Sequence, residues 1–237
     1  MIKDFTIIVP VFNEEACLPE LFQELKNYIE ISAVKSEVLF VDDGSTDNSP
    51  QLIETYCLDN PDFNFLLFDK NYGKGAALKA GFDLCKTSIL GYMDADLQTH
   101  PEDFEKLLPY IEEYDLVTGW RKDRKDSGFK KISSKIGNAV RKVFTKDHIH
   151  DTGCPLKIIK TTSAKRIPMF KGLQRFLPAM ILLQNGKIKE VPIPHYPRIA
   201  GFSKYSLKNR FMGPLLDCFA FLWMRKSYIN YKIDEKG

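Results

Sequence analysis

The chain has 237 residues, 44% hydrophobic and 27% charged, a globular composition that excludes disorder and fibrous repeats and suffices for one large domain or two small ones. Its net charge of +3 conceals a division: residues 1–120 carry 8 Lys/Arg against 23 Asp/Glu, whereas residues 121–237 carry 26 against 8. Five scattered cysteines without a C-x-x-C pair argue against a disulfide framework or zinc knuckle and for a reducing compartment.

A strand-like run, Phe5 to Val9, begins almost at once, with no basic-then-apolar leader before it, so no signal peptide is expected. From there the periodicity predicts strands at Thr6 to Pro10, Glu37 to Val41, Phe63 to Phe68, Ile89 to Met93 and Asp115 to Thr118. Between them it predicts helices at Ala16 to Ile31, Ser49 to Cys57, Gly75 to Cys85 and Pro101 to Ile111. Such alternation implies an α/β fold, a mostly parallel central sheet with helices on both faces. Ligands of such sheets bind beyond the carboxyl ends of the strands. The residues there are acidic: Asn13-Glu14-Glu15 after the first strand, Asp42-Asp43 after the second and Asp94-Ala95-Asp96 after the fourth.

The second half is less regular. Arg121 to Lys146 holds ten basic and two acidic residues, a stretch suited to phosphates, nucleic acid or an anionic membrane, or else a solvated helix face. Ile132 to Phe144 reads as a helix, Ile188 to Ile193 as a strand, and Ser206 to Met224 as a helix whose apolar run falls short of the roughly 20 residues that span a bilayer.

Asp94 and Asp96 stand at i and i+2, an arrangement that is unfavourable unless a cation neutralises it. Hard oxygen ligands suit Mg²⁺ or Mn²⁺, with Gln98 adding a carbonyl oxygen. The bland reading has Asp96 or Thr99 capping the next helix. Asp42-Asp43-Gly44-Ser45 reads either as a turn before a helix capped by Asp47 or Ser49, or as acceptors for a nucleobase N–H and ribose hydroxyls. Neither a G-x-G-x-x-G nor a P-loop is present.

Taken in order, Pro10-Val11-Phe12-Asn13-Glu14, Val41 to Asp47, Asn71-Tyr72-Gly73-Lys74-Gly75 and Met93 to Gln98 resemble the family 2 glycosyltransferases of the GT-A fold. Downstream, Thr118 to Arg124, Asp151 to Lys157, Arg175-Phe176-Leu177-Pro178, Val191 to Arg198 and Gly201 to Tyr205 are similar to the polyprenyl-phosphate sugar transferase branch, across residues 5–210. Two features depart from that pattern: Gln174 stands where relatives often have His, and the carboxyl-terminal transmembrane hairpin of many relatives is missing.

The resemblance implies a GT-A catalytic domain over residues 1–205 and an amphipathic helical segment at the membrane interface over 206–237. It implies nucleotide contacts from Pro10, Phe12, Glu14, Asp42, Asp43, Lys74, Asp94 and Ala95, and a metal held by Asp94, Asp96 and Gln98. Arg121, Arg124, Arg175, Arg198 and Lys204 are the candidates for phosphate and acceptor contacts, with Asp96, Asp151 and Arg121 catalytic. The activity so implied is inverting transfer of a hexose, mannose or glucose, from a GDP- or UDP-sugar to a polyprenyl phosphate. Its setting is peripheral, at the cytoplasmic face of a membrane, without nucleic acid and with room for a membrane partner protein. A phosphate monoester, with a second pKa of about 6, arrives ionised and needs no strong general base. The alternatives are direct glycosylation of a glycan, for which Asp151 would be the base, and a nucleotide-binding regulatory module.

Overall fold

The computed structural model describes residues 2–121, 142–194, 196, 212–230 and 234. Seven strands form one sheet in the order β3-β2-β1-β4-β6-β5-β7, with β1 Asp4–Val11, β2 Lys35–Asp42, β3 Phe63–Leu67, β4 Ile89–Tyr92, β5 Leu116–Arg121, β6 Lys157–Lys160 and β7 Ile188–Ile193. Pairing is parallel except at β6, which runs against both β4 and β5. The mostly parallel α/β sheet expected from the sequence is therefore present.

Side chains alternate across each strand. Phe5, Ile7 and Val9 of β1 enter one core with Phe22, Leu25, Phe40 and Phe104, while Ile8 enters the other with Val41, Leu78, Phe82, Ile159 and Phe176. Burial on both faces explains why β1 reads as an almost unbroken apolar run. Helices α1 Leu18–Ile31 and α2 Ser49–Asp59 cover the first face, and α3 Lys74–Leu84 covers the second. Gly81 lets α3 approach β1, since a Cβ there would lie 2.8 Å from Ile8 Cγ2.

Three elements differ from the sequence reading. The helix expected over 101–111 is a 3₁₀ turn, a single α turn (α4, Phe104–Leu107) and a second 3₁₀ turn, because Pro109 removes an amide the helix interior would need. Strand β6, the following helix α5 Thr161–Lys165, and α6 Leu177–Leu183 were not anticipated. Strand β6 is only four residues, Lys-Ile-Ile-Lys, too short for a period to show. Helical structure covers residues 142–145, but most of the helix expected over 132–144 lies outside the described residues.

The last helix, α7 Met212–Ser227, is apolar on two sides. Cys218, Phe221 and Met224 are buried in the second core, where Phe221 stacks on Phe176 with centroids 5.7 Å apart. Leu216, Phe219 and Trp223 point outward, 64%, 55% and 69% exposed. Among the described residues no helix is long and apolar enough to cross a membrane.

Candidate active site

The carboxyl ends of β1, β2, β4, β5 and β7 lie along one edge, and β6, being reversed, begins there. The loops after β1 and β2 are tied to each other. The Asn13 amide donates to Ser45 Oγ at 2.8 Å, Asn13 Oδ1 accepts from the Thr46 amide at 2.7 Å, and the Glu14 amide donates to Ser49 Oγ at 3.0 Å. Asn13 takes the left-handed backbone, φ 51°, to make these contacts.

Asp42 and Asp43 are both buried and have different tasks. Asp42 closes its own turn, accepting from the Ser45 amide at 2.8 Å and Ser45 Oγ at 2.5 Å. Between them and Ser45, Gly44 has φ +68°, and a Cβ there would sit 2.2 Å from the Lys70 carbonyl carbon, so the position requires glycine. Asp43 reaches across to the segment before α3, accepting from the amides of Tyr72 at 2.7 Å and Gly73 at 2.9 Å and from Asn71 Nδ2 at 3.0 Å. Burial, helped by the Asp42 charge, raises the Asp43 carboxyl above its ordinary value despite these amides and nearby Lys171.

That tie delivers Lys74 to the edge, where its ammonium pairs with Asp94. Beneath the pair lies the buried Tyr92 ring, with Lys74 Nζ 5.7 Å and Lys157 Nζ 5.4 Å from its centroid. Asp96 is also buried, and its Oδ1 accepts from the Gln98 amide at 3.2 Å. Between them Leu97 is left-handed, φ 53°, a conformation costing a leucine about 1–3 kcal/mol and concentrated at functional sites. The capping alternative is not what the molecule uses: His100 precedes the 3₁₀ turn without a side-chain cap, and Thr99 Oγ1 has no hydrogen-bond partner among the described residues.

On the other side of Tyr92, Arg121 at the end of β5 meets Asp151 in a buried fork, Nε to Oδ2 at 2.7 Å and Nη2 to Oδ1 at 3.0 Å. Burial opposes the guanidinium charge, but the Asp151 hydrogen bonds and charge, with Asp94 contributing, raise its pKa above the ordinary value. The loop holding Asp151 is fixed from outside by Glu190 of β7, which accepts from the amides of His150 at 2.9 Å and Asp151 at 2.8 Å and pairs with His150 Nδ1 at 2.8 Å. The His150 ring in turn stacks on Trp120, centroids 4.8 Å apart.

Residues 6–167 match the family model described as glycosyl transferase family 2. This span is more than half of the chain and runs from β1 into the turn after α5. The chain belongs to glycosyl transferase family 2. Among curated relatives of this family 2 chain, the dodecaprenyl-phosphate galacturonate synthase of Rhizobium johnstonii is 32% identical over 88% of the chain. The chain spans 63% of that relative's length. The solved glucosyl-3-phosphoglycerate synthase of Mycobacterium tuberculosis superposes with a TM-score of 0.72 at 15% identity, covering 96% of this chain and 81% of that one. A Pyrobaculum calidifontis mannosyltransferase, solved with GDP-Man and Mn²⁺, gives 0.67 at 18% identity, covering 96% and 65%. These likenesses establish the GT-A fold.

Within this family 2 fold, Pro10, Phe12, Glu14, Asp42, Asp43, Lys74, Asp94, Ala95, Asp96, Gln98, Arg121 and Asp151 all stand at or just beyond the shared edge. Arg175 sits on a 3₁₀ turn over the start of α3, where Gln174 Oε1 would be 3.3 Å from a Cβ on Gly75. Arg124, Arg198 and Lys204 lie outside the described residues. Sequence reasoning assigned no role to Tyr92, Lys157 or Glu190. For Lys157 the sequence offered no signal, because its strand, Lys-Ile-Ile-Lys, is too short to be read as one.

Proposed function

We propose that the chain transfers a hexosyl group, with inversion, from a nucleotide sugar to a polyprenyl phosphate. The observation that carries this reading is the Arg121–Asp151 fork: both Asp151 oxygens are hydrogen-bonded to a buried guanidinium, so this carboxylate is not placed to serve as the base that a neutral hydroxyl acceptor would need. A phosphate acceptor is already nucleophilic and seeks such a cation. The name of the Rhizobium relative supports the same acceptor class.

Asp94, Asp96 and Gln98 would hold Mg²⁺ or Mn²⁺, whose chemistry is to neutralise a departing nucleoside diphosphate. The donors fit in kind: all are hard oxygens, and Asp94 and Asp96 stand together just beyond β4, where a diphosphate and water would complete the shell. Asp42 and the loop tied by Asp43 would shape the nucleoside site, Lys74 would face the diphosphate, and Arg121 would orient the attacking phosphate oxygen. Arg124, Arg175, Arg198 and Lys204 are proposed as further phosphate contacts. The exposed stripe of α7 would lie in the interface at the cytoplasmic face of a membrane, bringing the edge to its lipid acceptor.

The test is transfer from labelled GDP- and UDP-sugars to polyprenyl phosphates of several lengths, with Mn²⁺ or with chelator. A lipid-extractable product dependent on cation is expected. Label appearing only in glycan acceptors would overturn the reading.

A further inference from the structure

The loop 150–154 is held at two places by groups that the proposed chemistry leaves unused, both on strands flanking β5 and both level with Thr118. From outside, Glu190 takes the amides of His150 and Asp151 and the His150 ring nitrogen. From beneath, Lys157, with no exposure at all, donates its ammonium to the carbonyls of Thr152, at 3.3 Å, and Cys154. No carboxylate is in contact with that ammonium among the described residues. The charges facing it are Asp151, Arg121 and Lys74, beside the Cys154 thiol and the Tyr92 ring.

An unpaired buried cation is a poor stabiliser, and an apolar side chain of similar size usually serves a core as well or better. Its position explains its presence. In the sheet register Lys157 stands opposite Tyr92 of β4 and Thr118 of β5, directly under the loop and between the strand that precedes Asp94 and the strand that ends in Arg121. From there it fixes the loop backbone and adds positive potential to an edge where anions gather.

We propose that Lys157 and Glu190 are positioning residues that clamp loop 150–154 from below and outside, so that Asp151 holds Arg121 aimed at the acceptor phosphate. This rests on the reading of the acceptor as a phosphate. Neither residue touches the reacting atoms.

Two variants test it, Lys157→Met and Glu190→Ala. Both should raise the acceptor KM about tenfold, the scale of a lost charged hydrogen bond, while calorimetric affinity for UDP or GDP stays unchanged. A second readout is independent of turnover. In a Trp223→Phe background Trp120 is the only tryptophan, and its stack on His150 reports the loop, so its emission should change in both variants. Unchanged Trp120 emission and acceptor KM in the two variants would overturn the clamp, as would an equal loss of nucleotide affinity. If the wild-type protein transfers nothing to any polyprenyl phosphate, the functional reading fails, and Trp120 emission alone decides whether the clamp exists.

Discussion

Lys157 carries a measurable consequence at the scale of one residue. Burial pushes its ammonium down to about 8 from an ordinary value of about 10.5. Below pH 8 the folded protein must hold a charge that the unfolded chain holds more easily. Between about 8 and 10.5 the folded form releases its proton while the unfolded form keeps it, so this residue's contribution to stability rises with pH. The thiols of Cys57 and Cys154, pushed up to about 11 by burial, act in the opposite sense above their ordinary range. A difference measurement against Lys157→Met cancels the Cys57 contribution, whereas Cys154 lies within electrostatic reach of Lys157 and shifts with it. Denaturant unfolding should show wild type gaining on Lys157→Met between pH 7.5 and pH 9.5, on the order of 1–3 kcal/mol; a flat or falling difference would show that the ammonium is not desolvated. The acidic residues of the site were legible because Asp42, Asp43, Asp94 and Asp96 directly follow readable strands. Lys157 was not, because what gives it meaning, Tyr92 and the carbonyls of Thr152 and Cys154, comes together only when the chain folds back.

At the scale of elements, α7 separates two kinds of apolar side chain along one helix. Phe221 is buried against Phe176, and Phe221→Ala should cost about 3–5 kcal/mol in chemical denaturation. Trp223 is 69% exposed, and Trp223→Ala should stay within about 0.5 kcal/mol of wild type. Similar losses for both would mean that the outward stripe is covered in the folded protein. Periodicity alone merges the two sides into one hydrophobic run. The same limit hid β6, whose four residues sit between two antiparallel neighbours, whereas β7 was readable to the residue because Ile188, Val191 and Ile193 form a β-branched run that ends in prolines. The expected helix over 101–111 failed for a local reason that was visible, Pro109.

At the scale of the molecule, the acidic residues that follow β1, β2 and β4 share one edge of the sheet with Arg121 and Lys157 from the basic second half. The outward stripe of α7, next to Arg225 and Lys226, gives this arrangement a surface to act on. Flotation with vesicles containing anionic lipid should carry the protein upward at low salt and release it at high salt, because screening shortens the reach of exposed charge to about 3 Å at 1 M. Protein that remains at the bottom with anionic vesicles at low salt would refute autonomous docking and favour a membrane partner.

The reversal of β6 reaches beyond the site itself. Since β5 leaves the sheet at Arg121 and β6 enters beside it at Lys157, residues 122–156 begin and end on the same rim. Both ends of that stretch are thus fixed by β5 and β6, while the register of β1 to β4 is set by other pairings. On the proposed reading, β1 to β4 frame the donor side and the chain between Arg121 and Lys157 sets acceptor preference, a division of labour open to chimeras that graft a relative's segment between those two residues.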